Sequence, residues 1–164
     1  MSCRSTRTRV VEMNKKSSRT GGRGRSRALG DDACPACGAE RVERRGRLRV
    51  PVNGEEVSVP SARHLHCPKC DEVVLRFEDA RRLNEDAIGA YRKKHGLLSA
   101  DEIRGLRERF DLKQADLATL LRLGANTISR WETGRNVQTA SMDILLRLIR
   151  DVPGSIAYLR KHAA

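Results

Sequence analysis

Two groups of residues in this 164-residue sequence have the types and spacing to do chemistry. The first is a set of four cysteines in two pairs, Cys34-Pro-Ala-Cys37 and Cys67-Pro-Lys-Cys70. Two Cys-x-x-Cys pairs supply four soft thiolates, the ligand set of a tetrahedral zinc ion. Four sulfurs leave no open coordination position, so the single Zn2+ expected here is structural and not catalytic. The competing reading is two reduced or redox-active dithiols, which wants a thioredoxin-like βαβ context that the flanking sequence lacks. His64 and His66 precede the second pair and are the alternative ligands, expected instead to lie on a strand beside the site. Cys3 is a lone thiol near the N-terminus with no assigned role.

The second group lies in Leu-Gly-Ala-Asn-Thr-Ile-Ser-Arg-Trp-Glu-Thr-Gly-Arg, residues 123–135. Ile128 and Trp131 are spaced to share one face of a helix. Asn126, Thr127, Ser129 and Arg130 then face away from them. An asparagine amide can bond a base edge or a phosphate, and the arginine fork matches the two acceptors of guanine in a major groove. Gln114, near the start of the preceding helix, and Arg135, beyond this one, are placed for phosphates. Glu132 would repel phosphate and is expected to pair with a nearby arginine or to cap structure. The solvated face of any small helical bundle carries similar residues, so polarity alone leaves both readings open.

The elements that must position these groups can be read from patterning. Leu48 to Val59 holds two alternating runs around Asn53-Gly54, a strong signal for a two-residue hairpin. In that register Val52 faces Glu55, Val50 meets Val57 and Leu48 meets Val59, which puts the apolar residues on one face. Pro51 and Pro60 point to edge strands. The 29 residues between the cysteine pairs are thereby filled by a hairpin, with the pairs at its base. From Glu78 to His95 the period becomes helical, with Leu83, Ala87, Ala90 and Tyr91 recurring and Gly96 as the stop. Ser99 and Glu102 form a capping box for the next helix, whose apolar stripe is Ile103, Leu106 and Phe110. Further helices are expected over 113–121, 126–133, 139–150 and 153–162. Leu117, Ala118 and Leu121 supply an inner face, and Gly124 a turn. Ile144, Leu145, Leu148, Ile149, Ile156 and Leu159 exceed what a minimal helical core needs. Part of that surplus is expected to make a homodimer interface or to enlarge the core.

Composition limits the alternatives. Aromatic residues are 3% of the chain and charged residues 33%, so no large single core is available. The net charge is +12, but it is uneven. Residues 1–30 hold nine Lys or Arg against one Glu, and their Arg, Ser, Thr and Gly content predicts a disordered basic tail that favours polyanions. No segment is long and apolar enough to span a bilayer, and no signal-peptide core is present, so a cytoplasmic location with reduced or metal-bound cysteines is expected.

The run from Lys113 to Arg135 resembles the Xre/Cro-type helix-turn-helix. Together with the upstream four-cysteine module, about residues 34–150 resemble the MqsA/YgiT family of type II antitoxins. That resemblance implies an α+β two-module protein. A small zinc-ribbon-like β-hairpin domain (31–77) leads through a linker helix (78–98) to an all-α, lambda-repressor-like domain (99–164), behind the tail (1–30). It implies that the zinc domain binds a toxin, typically an mRNA-cleaving ribonuclease. The helical domain would dimerise on palindromic operator DNA and repress its own transcription. The family's recognition-helix Asn and Arg fall on Asn126 and Arg130, and its zinc ligands on Cys34, Cys37, Cys67 and Cys70. Three features depart from the pattern: Lys113 in place of a Thr or Ser cap, Arg122 in place of a turn glycine, and the basic tail. The alternatives from other classes are a solitary regulator without a toxin, a zinc-ribbon interaction adaptor, and a zinc-dependent nuclease.

Overall fold

The computed structural model describes residues 33–162. The expected tail disorder and Cys3 lie outside the described residues. Strand β1 (Val42–Val52) turns through Asn53-Gly54 into β2 (Glu55–His66). Both turn residues have positive φ, 49° and 81°. That is the requirement of a type I′ turn, whose twist suits a hairpin. A third strand, β3 (Val73–Val74), was not foreseen; the sheet order is β1-β2-β3. It pairs antiparallel with β2 through Leu65↔Val74 and His66↔Val73. β2 is therefore not an edge strand throughout, as its proline suggested. Pro60 is tolerated because β3 pairs only with the last two residues of β2, leaving the strand open beside the proline.

Burial alternates along the hairpin as a one-sided ribbon requires. Val52, Val57 and Val59 are buried, Leu48 and Val50 half-buried. At Pro60-Ser61 two successive residues are exposed, and the buried positions resume at Ala62 and His64. This one-residue change of phase is what an extra residue in a strand produces.

The helices follow as α1 (Phe77–Lys94), α2 (Ala100–Arg109), α3 (Gln114–Leu120), α4 (Thr127–Glu132), α5 (Ala140–Asp151) and α6 (Ser155–His162). These helices lie within one or two residues of their expected bounds. The α2 capping box forms in full: the Glu102 amide donates to Ser99 Oγ and the Ser99 amide to the Glu102 carboxylate. α3 has only the reciprocal half, with the Lys113 amide donating to Asp116 at 2.9 Å. A lysine side chain has no acceptor to offer in return.

One closure ends α1, α2, α3 and α4: paired bonds from the two amides after the cap back to the last turn, as in the Schellman motif. For α4 these are Gly134 N–H to Trp131 O and Arg135 N–H to Arg130 O. The left-handed position falls on Gly96, Asp111, Arg122 and Gly134 respectively. Glycine supplies it without a Cβ penalty in two cases only. The turn after α3 thus bends at Arg122 (φ 53°), not at Gly124.

The chain divides into two compact units. Among the described residues, one comprises 33–48 and 60–81, and the other 49–59 and 82–162. The second holds a continuous core that includes Ile103, Leu106, Leu117, Ile128, Trp131, Leu146 and Ile149. α4 packs on α2 and α3. Glu132 at its end is an acidic side chain only 3% exposed. Arg107 of α2 grips it with two bonds, at 2.7 and 3.1 Å, and the Gln114 amide donates to it at 2.7 Å. The expected pairing of Glu132 with an arginine is thus present.

A second polar cluster is equally buried. Asp143 of α5 accepts from the Leu98 amide, from Gln138 and from Arg147. Burial acts to raise its carboxyl pKa. The Arg147, Leu98 and Gln138 bonds outweigh burial and hold it below the ordinary carboxylate value.

Removing one partner of a buried ion pair leaves the other uncompensated, at about 3–5 kcal/mol. Glu132→Ala is therefore expected to lose about 3 kcal/mol, read as a lower urea midpoint. A lowered folded pKa for Asp143 means stability that is fully present above the ordinary carboxylate pKa of about 4 and lost as pH falls through the folded value. The stability gap between the chain and Asp143→Asn should accordingly be widest at neutral pH and shrink in acid.

Candidate metal centre and nucleic-acid interface

The two cysteine pairs occupy equivalent backbone loops. In each, the first cysteine donates its amide to the carbonyl five residues on (Cys34 to Ala39, 2.7 Å; Cys67 to Glu72, 2.9 Å). In each, the amide four residues on returns to that cysteine's carbonyl, from Gly38 and from Asp71. Both returning residues have positive φ, 73° and 58°. The first loop is closed by a bridge between Ala33 and Glu40, and the second by the β2–β3 pairing.

These loops bring all four sulfurs within 4.8 Å of one another. Cys34 and Cys70 Sγ are 3.6 Å apart, Cys37 and Cys67 Sγ 3.5 Å. A tetrahedral ion with metal–sulfur bonds of about 2.3 Å would place its ligand sulfurs about 3.8 Å apart. The donor set and spacing therefore fit one soft divalent cation. Cys34 and Cys67 are buried, while Cys70 faces solvent. The Cys67 and Cys70 thiols are pushed in opposite directions. Burial raises the Cys67 pKa, but the Lys69 and Cys70 amides and the neighbouring thiols prevail and bring it to about 7. At Cys70 the Glu72 amide lowers the pKa, against burial and the three other sulfurs, which push it up to about 12.

Neither histidine belongs to the cluster. The His64 ring packs over Gly46, whose added Cβ would lie 3.2 Å from Cε1, and its Nδ1 is 3.0 Å from the Ala62 carbonyl oxygen. His66 sets Nε2 3.2 Å from the Asp71 carboxylate, and its Nδ1 is buried without a partner among the described residues.

The helical unit presents the second group. Ile128 is fully buried and Trp131 is 4% exposed, so one side of α4 is committed to the core. Asn126 occupies the N-cap, but its side chain makes no capping bond. Asn126 and Arg130 are exposed, with Thr127 and Ser129 half-exposed beside them. The Gln114 amide nitrogen is tied to Glu132 through one of its two hydrogens. Arg135 is exposed just beyond the helix. Patterning did not reveal Arg107, Gln138 and Asp143, the polar residues that hold this unit together. A charged or amide side chain carries no mark of burial in its own sequence.

With this geometry in place, the comparisons with known proteins are decisive at the level of family. Residues 32–160 match the family described as the antitoxin component of bacterial toxin-antitoxin systems, MqsA. The chain belongs to the MqsA family. It is also 32% identical over 62 residues to antitoxin HigA-2 of Vibrio cholerae serotype O1, a stretch covering 38% of this chain. The chain spans 60% of that relative's length. The expected resemblance to MqsA-type antitoxins is thereby established. Among the described residues no helix is long and apolar enough to cross a membrane.

The cysteine geometry generates a direct test. Cobalt(II) added to metal-free protein should bind at one equivalent with strong sulfur-to-metal absorption, and Cys67→Ser should abolish that band. Chelation should unfold the sheet unit, because its residues lack a large core and the ion supplies folding free energy. The α-helical circular dichroism should largely survive.

Proposed function

We propose that this MqsA-family antitoxin is a sequence-specific DNA-binding repressor of its own transcription, built on a helix-turn-helix formed by α3 and α4. The observation that supports it best is the division of α4: an inner side wholly spent on the core, and an outer side whose Asn126 and Arg130 have no side-chain partner among the described residues. In this reading Asn126 and Arg130 meet base edges in the major groove, assisted by Thr127 and Ser129. Arg135 contacts phosphate, and so does the second amide hydrogen of Gln114 while Glu132 holds the first. The protein does no catalysis.

The four cysteines hold one structural Zn2+, since an all-sulfur tetrahedral set suits zinc and leaves no site for a substrate. In this reading the functions divide into a zinc domain over 31–77, a linker helix over 78–98 and the DNA-binding domain over 99–164, while the compact units group 49–59 and 82–98 with the later helices. The zinc domain binds the toxin, a small ribonuclease, in the cytoplasm. The chain acts as a homodimer through α5 and α6, where Ile144, Leu148, Val152 and Tyr158 are exposed. Ile144 and Leu148 lie four residues apart on α5 and Val152 caps its end, an exposed apolar strip that a helix keeps when it has a partner. Two α4 helices would then enter successive major grooves about one helical turn apart.

The experiment is selection from a random pool of duplex DNA by the zinc-loaded chain. An enriched palindrome is expected. Arg130→Ala should bind it about 1–3 kcal/mol more weakly and lose preference at one base pair of each half-site. Failure of the wild-type chain to enrich any duplex would remove the DNA reading.

A further inference from the structure

α4 has only six residues, too few to hold its own conformation in water. What fixes its far end is a residue of another helix. Arg92 of α1 is 4% exposed, and its guanidinium reaches the closure that terminates α4. Nη2 donates to the Trp131 carbonyl at 3.0 Å and to the Asn136 carbonyl at 3.2 Å. Nε donates to Gln138 Oε1 at 3.1 Å. Gln138 passes the connection on, donating to the Leu98 carbonyl and to Asp143.

Two features mark this as an aligning device and not as simple charge pairing. First, the three oxygens that Arg92 binds are neutral. Burial depresses its pKa, and Asp143 opposes that only through its field. A planar fork of fixed donors specifies direction as a lysine ammonium cannot. Second, α1 runs close beside the same closure two turns earlier. An added Cβ on Gly134 would lie 3.7 Å from Glu85 Cγ. The closure contains the carbonyl of Arg130 itself, which accepts from the Arg135 and Asn136 amides. The cation also sits at the C-terminal end of α4, where the helix dipole favours it.

We propose that Arg92 is a positioning residue for DNA recognition: from α1, through the Trp131 and Asn136 carbonyls and Gln138, it sets the angle at which α4 offers Asn126 and Arg130. This rests on the DNA-binding reading above. α1, expected from the sequence to be a linker, becomes part of the reading head. Paired hydrogen bonds to a base edge tolerate displacements of only a fraction of an ångström, about 0.5 Å. Loosening this contact should therefore cost selectivity before it costs general affinity for DNA.

The test uses the full zinc-loaded chain and Arg92→Lys, which keeps the charge and removes the fork. Binding is measured to the duplex enriched by the wild-type chain and to the unselected pool. Affinity for the enriched duplex should fall about tenfold, while affinity for the pool stays within about twofold. Partial unfolding would lower both equally, so a merely structural role does not produce this split. Amide hydrogen exchange should quicken at residues 127–137 and stay unchanged in α2 and α3. Should Arg92→Lys not fold, Glu85→Ala, which leaves the buried bonds whole, carries the same two measurements with smaller shifts expected. Unchanged selectivity in a folded variant, or exchange that quickens uniformly, overturns the proposal. If the wild-type chain enriches no duplex, the DNA reading falls, and the exchange pattern alone decides whether Arg92 positions α4.

Discussion

The helical unit is organised around one buried charge. Glu132 ends α4 with its carboxylate almost wholly out of water, and an unpaired carboxylate there would cost several kcal/mol. Its partners come from two other helices: the Arg107 fork from α2 and the Gln114 amide from α3. Arg104 adds a bond to the Glu132 carbonyl at 3.0 Å. Satisfying the carboxylate therefore fixes three helices against one another. Hydrophobic packing alone does this less specifically, because Leu and Ile faces accept small rotations that a bidentate bond does not.

The same economy explains the rest of the chain. With aromatic residues at 3% of the composition, neither unit can rely on bulky side chains to fill a core. The sheet unit turns to four sulfurs on two matched loops. The helical unit turns to satisfied polar clusters at Glu132, Asp143 and Arg92, each joining segments distant in sequence. Its apolar core is real but made mostly of Leu and Ile.

What the sequence made legible was local. Cysteine spacing, an Asn-Gly turn, a Ser-x-x-Glu box and helical periods each act over a few residues, and the fold honours them. β3 stayed hidden because two residues show no alternation. The bend at Arg122 was legible only through the family resemblance, which sets a turn glycine there, since patterning alone favoured Gly124. The outward face of α4 was legible, since Ile128 and Trp131 define the inner side by spacing. The roles of Arg92 and Gln138 were not. Their partners lie about forty residues away, and an arginine in the last turn of an exposed-looking helix reads as an ordinary dipole complement.

These distant bonds change what the outer face of α4 depends on. Asn126 stands where a side chain ordinarily caps its helix, yet it leaves that bond unmade. The stability given up at the N-terminus of α4 must be supplied elsewhere, typically about 1 kcal/mol for a cap. It is supplied at the other end, where Gly134 allows the closure and Arg92 and Glu132 bind into it. A six-residue helix can then leave its first turn without a side-chain cap, because its last turn is held from outside. The polar residues with no partner among the described residues and the polar residues with several belong to one arrangement.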